Sequence, residues 1–447
     1  MYAYGDELDC SYLNHTAIVQ CLTAIRFQGT SINTNGGAYI VLRTLLIEQP
    51  NQQMWQNLTA PKLNLDGTFR TQAPHTTWER LQEFLPAFGI TRVADITGLD
   101  CIGIPVAQAI RPNGKAFSGS QGKGISLLLA MISAAMESVE SYHAENLPEP
   151  EIVASYEEIC RHHQAIAPSV LEPGKRWAAY DPTKPLDWIC GTDLFTNQPV
   201  YVPQAYLDLD TTTEKRDTHI FSTSSNGLAS GNHLLEAIAH GLFEVIEREA
   251  EWRWWQLPME QRINCLVEIP TIKSPLLQSL LHQIQLAGAR AVITDLSSTV
   301  GIPSYKCLIS DIENWYGRPT TAGWGCHSSK EIALARAITE AAQSRVTIIA
   351  GSRDDIHPES YALGRFKLPG SPTTKFSGKR PTATLIDFET QPELPPTATF
   401  GEEIQQILDC LSNQGFHQAV FVNHTRSEFG FPVVHVVVPG THLPASY

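Results

Sequence analysis

Apolar and polar residues alternate with two different periods from about residue 66 onward. Short β-like runs are bounded by Pro, Gly or Asn, whereas helical runs carry apolar residues at a 3.6-residue period and end at Gly. Strands are predicted at 103–110, 199–209, 304–312, 418–424 and 432–440, and amphipathic helices at 77–89, 274–288 and 402–415. This mixture predicts an α/β fold in which sheets are covered by helices.

The first 65 residues show no such pattern. They are rich in Asn, Gln and Thr and have no clear periodicity, so no element is predicted there. The stretches 143–152 and 372–384 are crowded with proline or polar residues and are interpreted as linkers. The predicted organisation is therefore an unassigned segment, 1–65, followed by one large domain, 66–447.

Three alanine-rich segments carry a polar stripe that does not fit an ordinary core helix. Each has polar residues at i, i+4 and i+7, which fall on one face of a helix whose neighbouring positions are apolar. The stripes are Ser133, Glu137 and Glu140; His240, Glu244 and Glu247; and Arg336, Glu340 and Gln343. Each stripe is predicted to be a polar line cut into a buried surface.

Carboxylates on a buried surface require a cation, because an unpaired buried charge is strongly destabilising. With Glu236 the stripes hold six glutamates, and the arginines 248, 336 and 345 neutralise three charges at most. Divalent cations are the natural partners for the glutamates that the arginines leave unneutralised. Mg²⁺ is usually held by one or two carboxylates together with phosphate oxygens of a nucleotide. The alternative is that each stripe is a solvated helix face with i, i+4 ion pairs.

Composition excludes several classes of protein. The formal net charge of −14, with no basic cluster, argues against a nucleic-acid partner. The longest apolar run, 125–136, is too short to cross a membrane, and the amino terminus carries no secretory signal. The nine cysteines form no C-x-x-C or zinc spacing and are interpreted as free thiols. We expect a cytoplasmic protein that binds neither nucleic acid nor membrane.

Segments 120–142, 224–248 and 325–345 resemble, in this order, the three ATP-binding motifs of the YcaO superfamily. Segment 88–113 resembles the opening of its domain, and "PVVHVVVPG" resembles its closing strand. The resemblance implies a composite domain of sheets packed with helices, with an ATP and Mg²⁺ site between the glutamate-lined helices. It also implies an enzyme that phosphorylates the oxygen of a peptide backbone amide.

The resemblance further implies a role for each matching side chain. Arg248 and Arg336 would contact phosphate and act in catalysis. "GSQGKGIS" fails as a phosphate-binding P-loop because Phe117 and Gly124 occupy required positions, but its Lys123 is still expected beside the nucleotide. The implied magnesium ligands are Glu137, Glu140, Glu244 and Glu247. The implied nucleotide-binding residues, besides the two arginines and Lys123, are Ser133, Asn232, Glu236, Glu340 and Gln343.

The product depends on the group that attacks the activated amide. A side-chain Cys, Ser or Thr would give an azoline, and sulfide would give a thioamide, in a ribosomally made peptide or protein. Azoline-forming members often end in alternating prolines that carry the terminal carboxylate into the site as a base. This chain ends in "PGTHLPASY", which lacks that alternation, and the difference favours thioamide formation, or another reaction with an external nucleophile, over cyclisation.

Partners are expected as well as a peptide substrate. A domain of the ubiquitin-activating type does not fit into residues 1–65, so a separate protein for peptide recognition is expected, and the chain is expected to be a homodimer. Two alternative functions are a nucleotide-dependent module that binds a leader peptide without turnover, and an ATP-grasp or kinase-like ligase. The ligase is disfavoured because no glycine-rich loop of the required form is present.

Overall fold

The chain divides into two compact units, Met1–Met54 and Trp55–Tyr447. In the smaller unit Ile32–Asn33 pairs antiparallel with Tyr39–Ile40. Apart from this strand pair, the computed structural model describes residues 55–65, 67–213, 219–313, 320–351 and 384–444.

The larger unit begins ahead of the domain start predicted at residue 66. The Trp55 ring is buried and its Nε1 donates a hydrogen bond of 3.1 Å to the Leu194 carbonyl oxygen. Lys62 forms an ion pair of 2.9 Å with Glu403. The segment 55–65 therefore packs into the larger unit.

The larger unit contains strands and helices throughout its described residues. Its strands are β1 Leu63–Leu65, β2 Thr68–Arg70, β3 Arg92–Asp95, β4 Val106–Ile110, β5 Gly119–Lys123, β6 Ile152–Ala154, β7 Leu186–Asp193, β8 Pro199–Pro203, β9 Leu228–Ser230, β10 Ala289–Asp295, β11 Ser304–Asp311, β12 Thr321–Cys326, β13 Val420–Asn423 and β14 Val433–Val437. Its α-helices are α1 Pro74–Phe84, α2 Leu127–Ala144, α3 Tyr156–Ile159, α4 Gln204–Leu207, α5 Leu234–Gln256, α6 Met259–Ile263, α7 Pro275–Leu286, α8 Lys330–Ala350 and α9 Phe400–Asn413.

The predicted α/β class is confirmed, and most predicted elements are found with shifted ends. Two differ more. The strand predicted at 199–209 stops at Pro203, which lacks an N–H for the ladder, and the short helix α4 follows. The helix predicted at 77–89 starts earlier, at Pro74, a residue favoured in the first turn, and ends before Pro86.

The predicted linker 143–152 is an ordered connection rather than a loose one. The helix α2 runs into it as far as Ala144, and the next residue, Glu145, is buried against Arg111 at 2.5 Å. The linker predicted at 372–384 lies outside the described residues except for Thr384.

All the strand pairings within the named sheets are antiparallel. The largest sheet has six strands in the order β8-β7-β13-β14-β9, with β6 also paired to β7. Two three-stranded sheets have the orders β3-β4-β5 and β10-β11-β12, and β1 pairs with β2. Each long helix packs on strands: α2 on β5, α5 on β9 and β14, and α8 on β12.

The two three-stranded sheets belong to a unit that occurs twice in the chain. Each copy consists of a helix, a strand, a 3-10 turn, two further strands and a long helix, over residues 74–144 and 275–350. The registers agree, since Gln108 faces Gln121 in the first copy and Lys306 faces Trp324 at the same place in the second. Both copies carry "GIP" before the middle strand, a repeat that pattern analysis missed.

Glycine lets the alanine-rich helices lie directly on their strands. A Cβ at Gly122 would collide with the backbone of Ala130 and Ala134. In the second copy a Cβ at Gly325 would collide in the same way with Ala333 and Ala337. This close approach fixes the rotation of each helix and therefore the direction in which its polar stripe points.

Candidate active site

The three polar stripes line one cavity of about 1070 Å³ between α2, α5 and α8. Ligand pockets in proteins have volumes of about 300–1,000 Å³, so the cavity is large enough for a nucleotide and part of a second ligand. All the site residues predicted from sequence lie on its wall: Lys123, Ser133, Glu137, Glu140, Asn232, Glu236, Glu244, Glu247, Arg248, Arg336, Glu340 and Gln343.

The stripes converge because the three strand-to-helix junctions are built alike. In each, the helix N-cap follows the strand by three residues, at Ser126, His233 and Ser329. The first acidic residue of each stripe lies eleven positions after its N-cap, and the second polar residue three positions further on. These pairs are Glu137 and Glu140, Glu244 and Glu247, and Glu340 and Gln343.

The carboxylates of α2 and α5 are close enough to oppose one another's ionisation. Burial, together with Glu137 and Glu244, raises the pKa of Glu140 to about 8, against a hydrogen bond of 2.6 Å from the Ser230 hydroxyl. Burial, together with Glu247, raises the pKa of Glu244 to about 7, although Arg248 opposes the shift. This wall of the cavity therefore favours a bound cation.

The α8 side of the cavity has the opposite balance of charge. Glu340 is buried, which would raise its pKa, but Lys123 and Arg248 hold that pKa below its usual range. Lys123 forms an ion pair with Glu340, whose other oxygen accepts a hydrogen bond of 3.3 Å from the Trp324 amide. Lys123 from β5, Arg248 from α5 and Arg336 from α8 make the part of the cavity around Glu340 suited to anionic phosphate groups.

The donor set fits Mg²⁺ that shares its coordination with phosphate. Within the described residues, no three His, Cys, Asp or Glu side chains are grouped tightly enough to hold a metal ion by themselves. Carboxylates of neighbouring helices nevertheless face each other across the cavity with raised pKa values. Mg²⁺ commonly binds one or two carboxylates and completes its octahedron with phosphate oxygens and water.

A further group of side chains holds Glu236 and Asn232 and was missed by sequence reasoning. Glu236 accepts hydrogen bonds from the Thr71 amide and hydroxyl, at 2.9 and 2.6 Å, and lies 3.7 Å from the Arg70 guanidinium. The Thr77 hydroxyl donates to the Asn232 side chain at 2.9 Å. The "TFRT" segment has no motif spacing to the stripes, so only the fold brings it there.

His240, the first residue of the second stripe, also lines the cavity. Burial, with Arg70 and Arg336 nearby, lowers the pKa of His240 well below its ordinary value. The imidazole is therefore neutral, and its Nε2 accepts a hydrogen bond of 2.6 Å from Arg70.

Arg345 was expected to neutralise a site carboxylate, and this expectation is wrong. Its guanidinium forms ion pairs of 2.7 Å with Asp100 and 2.8 Å with Asp311, and it does not line the cavity. Arg345 lies two positions after Gln343, which places it on a different face of α8. Lys306, on β11, lines the cavity instead and was not anticipated.

No helix in the described part of the chain combines the length and the apolar character needed to cross a membrane.

Comparison with known proteins identifies the family. The family described as YcaO cyclodehydratase, ATP- and Mg²⁺-binding, matches residues 121–442. An uncharacterized protein in the tfuA 3′ region of Rhizobium leguminosarum bv. trifolii is 35% identical over 385 residues, covering 84% of this chain and 89% of the relative. An uncharacterized protein of Methanothermobacter thermautotrophicus is 34% identical over 377 residues, covering 83% and 94%.

Solved structures agree in fold. YcaO from Methanopyrus kandleri, bound with AMPPCP and Mg²⁺, superposes with a TM-score of 0.65 at 23% identity, covering 85% of this chain and 94% of that one. A heterocyclase in complex with substrate and cofactor superposes with a TM-score of 0.70 at 20% identity and covers 86% of this chain. The chain spans 54% of that heterocyclase's length. The chain therefore belongs to the YcaO family of ATP- and Mg²⁺-binding cyclodehydratases, which places it among ATP-dependent peptide-modifying enzymes.

Proposed function

We propose that the protein phosphorylates a peptide backbone amide oxygen with ATP, and that sulfide then displaces the phosphate to leave a thioamide. The observation that carries the phosphorylation is the cavity lined both by the carboxylates of α2 and α5 and by the cations Lys123, Arg248 and Arg336. The two prolines of the segment after β14, Pro439 and Pro444, are five residues apart rather than alternating, and this spacing supports sulfide as the nucleophile.

The proposed reaction activates an amide, whose carbonyl group otherwise reacts poorly with nucleophiles. The amide nitrogen donates electrons into the carbonyl, so the oxygen must become a good leaving group. The oxygen forms a bond to the γ-phosphorus of ATP and the bond from that phosphorus to ADP breaks. Hydrosulfide then bonds to the carbon and phosphate leaves, so that ATP, amide and hydrosulfide become ADP, phosphate and thioamide.

The residues of the cavity contribute position and charge rather than a covalent intermediate. Arg248 and Arg336 would hold the transferring phosphoryl group, and Glu137, Glu140, Glu244 and Glu247 would hold the metal. Bound Mg²⁺ supplies stabilisation of negative charge on the phosphate oxygens. Asn232 and Glu236, fixed by the segment 70–77, would orient the remainder of the nucleotide.

One observation favours azoline formation as a second candidate. Leu443 lines the cavity, so the segment after β14 reaches the site. His442 anchors it, with its amide 2.8 Å from a Glu249 carboxylate oxygen and its ring stacked on Trp252 at 3.9 Å. A base brought in by this segment would assist attack by a neighbouring Cys, Ser or Thr side chain, giving azoline, ADP, phosphate and a proton.

Mass spectrometry of the product distinguishes the two reactions. Replacement of oxygen by sulfur in the peptide supports the thioamide, whereas loss of water supports the azoline. ADP release measured with and without a candidate peptide separates both from a leader-binding module, for which peptide would not accelerate turnover.

We further propose that a separate protein presents the peptide and that the chain forms a homodimer. Support for a partner comes from a structural neighbour, the E. coli microcin synthetase McbBCD complex, which superposes with a TM-score of 0.54 at 15% identity. Efficient modification of a leader-bearing peptide by the purified chain alone would contradict the partner, and light scattering tests the dimer.

A further inference from the structure

We infer that Lys306 and Trp324 form the subsite for the acceptor peptide, in which the Lys306 ammonium donates to the carbonyl oxygen of the amide that is phosphorylated. The inference rests on the proposed function and names the residues that hold its peptide substrate. Both side chains line the same cavity as the predicted nucleotide site.

Lys306 has hydrogen-bonding capacity that the protein does not use. Its side chain is 7% exposed, and Nζ donates to a Glu251 oxygen at 2.8 Å. An ammonium carries three N–H donors, and in the described part of the chain the Glu251 carboxylate is the acceptor found for them. The ammonium also lies 5.5 Å and 5.3 Å from the ring centres of Trp254 and Trp255, which supply no oxygen or nitrogen acceptor. Since Lys306 lines the cavity, we take its other donors to serve a ligand there.

A second buried lysine shows what a purely structural role looks like. Lys62 is also paired with a buried glutamate, Glu403, at 2.9 Å, but its Nζ donates in addition to the Thr397 hydroxyl at 2.8 Å. Lys62 does not line the cavity. The two ion pairs are therefore matched in burial and differ in access to the site.

Trp324 connects Lys306 to the phosphate-binding wall. The Lys306 ammonium lies 5.0 Å from the Trp324 ring centre, and the Arg248 guanidinium lies 5.8 Å from it. The Trp324 amide also donates to Glu340. An oxygen bound by Lys306 would consequently lie at the phosphate end of the cavity, where phosphoryl transfer is proposed.

The internal repeat shows that this pair of residues is specialised. At the equivalent place in the first copy, Gln108 faces Gln121 across two strands. The Gln121 carbonyl oxygen accepts from Gln343 at 3.1 Å, so this position is used to join the two copies. In the second copy a cation and an indole occupy the position, and an indole face beside a cation suits a planar peptide group.

The ammonium would also stabilise charge during the reaction. After the carbonyl oxygen has bonded to the γ-phosphorus and ADP has left, hydrosulfide bonds to the carbon, and the phosphate departs with the electrons of the carbon–oxygen bond. Lys306 is placed to stabilise the negative charge on that oxygen as it departs. Trp324 would hold the peptide plane at the correct angle for phosphoryl transfer.

The experiment uses two double variants. The first combines Lys306→Met and Glu251→Gln, and the second, which is the matched control, combines Lys62→Met and Glu403→Gln. Each double change removes both charges of a buried pair, so no unpaired charge remains to unfold the protein. The probes are AMPPCP with Mg²⁺, followed by calorimetry, and a set of acetylated, amidated tripeptides with sodium hydrosulfide, followed by ADP release. The tripeptides are added at concentrations high enough to fill the subsite without presentation by a partner protein.

The Lys306 double variant should bind AMPPCP as the wild type does, while its peptide-stimulated ADP release falls about 100-fold, as for loss of an oxyanion donor. The Lys62 double variant should resemble the wild type in both measurements. Peptide stimulation that survives in the Lys306 double variant, or a parallel loss of AMPPCP binding, would overturn the inference. Absence of peptide stimulation in the wild type would instead overturn the proposed function, and the acceptor subsite with it.

Discussion

Replacing Glu244 by glutamine should stabilise the metal-free protein while it weakens nucleotide binding. Burial and the neighbouring Glu247 raise the pKa of Glu244 from 4.5 to about 7. A shift of that size corresponds to about 3 kcal/mol against the ionised form, and water reaching this half-buried side chain reduces the figure to about 1–2 kcal/mol. Glutamine has the same shape and carries no charge.

The pH dependence follows from the sign of the shift. Because the folded-state pKa lies above the unfolded value, the folded protein binds the extra proton between about pH 4.5 and 7. The wild type therefore loses this contribution to stability as the pH rises through that window, and Glu244→Gln does not. The advantage of the variant should be absent near pH 4.5 and complete above pH 7.

Urea unfolding in EDTA at a series of pH values measures the difference. Glu249→Gln is the matched control, because Glu249 lies buried on the same helix but is paired with Arg253 at 2.6 Å. That control should be less stable than the wild type at neutral pH. Mg²⁺-dependent AMPPCP binding, measured by calorimetry, should be weakened at least tenfold in Glu244→Gln and unchanged in the control.

A Glu244→Gln variant that is less stable than the wild type at pH 8 would refute the reasoning. So would a stability difference that does not change with pH, since the effect would then not come from ionisation of this carboxylate.

Three further predictions address the metal, the misplaced arginine and the repeat. Nucleotide affinity should require Mg²⁺ and collapse in Glu137→Ala combined with Glu244→Ala, with circular dichroism unchanged; wild-type affinity in calorimetry would show that the metal ligands are assigned wrongly. Arg345→Met should lower the free energy of unfolding by about 3–5 kcal/mol because it removes the guanidinium that forms ion pairs with two buried aspartate side chains. The folded variant should bind AMPPCP normally, and weakened binding would return Arg345 to the site. Gly122→Ala should push α2 away from its strand, so both the melting temperature and the nucleotide affinity should fall. Gly98→Ala is the control, since a Cβ there has no atom within 4 Å, and it should melt as the wild type does. Equal melting temperatures of the two variants would contradict the close contact between α2 and β5.

Much of the site was predictable because its side chains follow a regular spacing along single helices. Polar residues at i, i+4 and i+7 on an apolar helix can share only one face, so the three stripes identified the side chains before any tertiary contact was known. The ordered motifs supplied the resemblance to the family, and alternating apolar residues located most of the strands.

Local spacing could not say which distant residues complete the site. Thr71 lies 165 positions before Glu236 in the chain and still donates a hydrogen bond to it, and Arg70 lies beside the same carboxylate. Lys306 lines the cavity although it belongs to a strand whose apolar residues indicate only a buried strand. Arg345 shows the reverse error, because its position on α8 turns it toward Asp100 and Asp311. Pairing between distant residues depends on how sheets and helices pack.

The sequence by itself determined the class of the fold, the three helices and the charges on their polar faces, since these depend on residue type and on helical or strand period. The tertiary structure decided that the stripes meet in one cavity, because close strand–helix contact at Gly122 and Gly325 sets the helix rotation. It also decided which cations face which carboxylates, since burial and distance, rather than order along the chain, set the free energy of each pair.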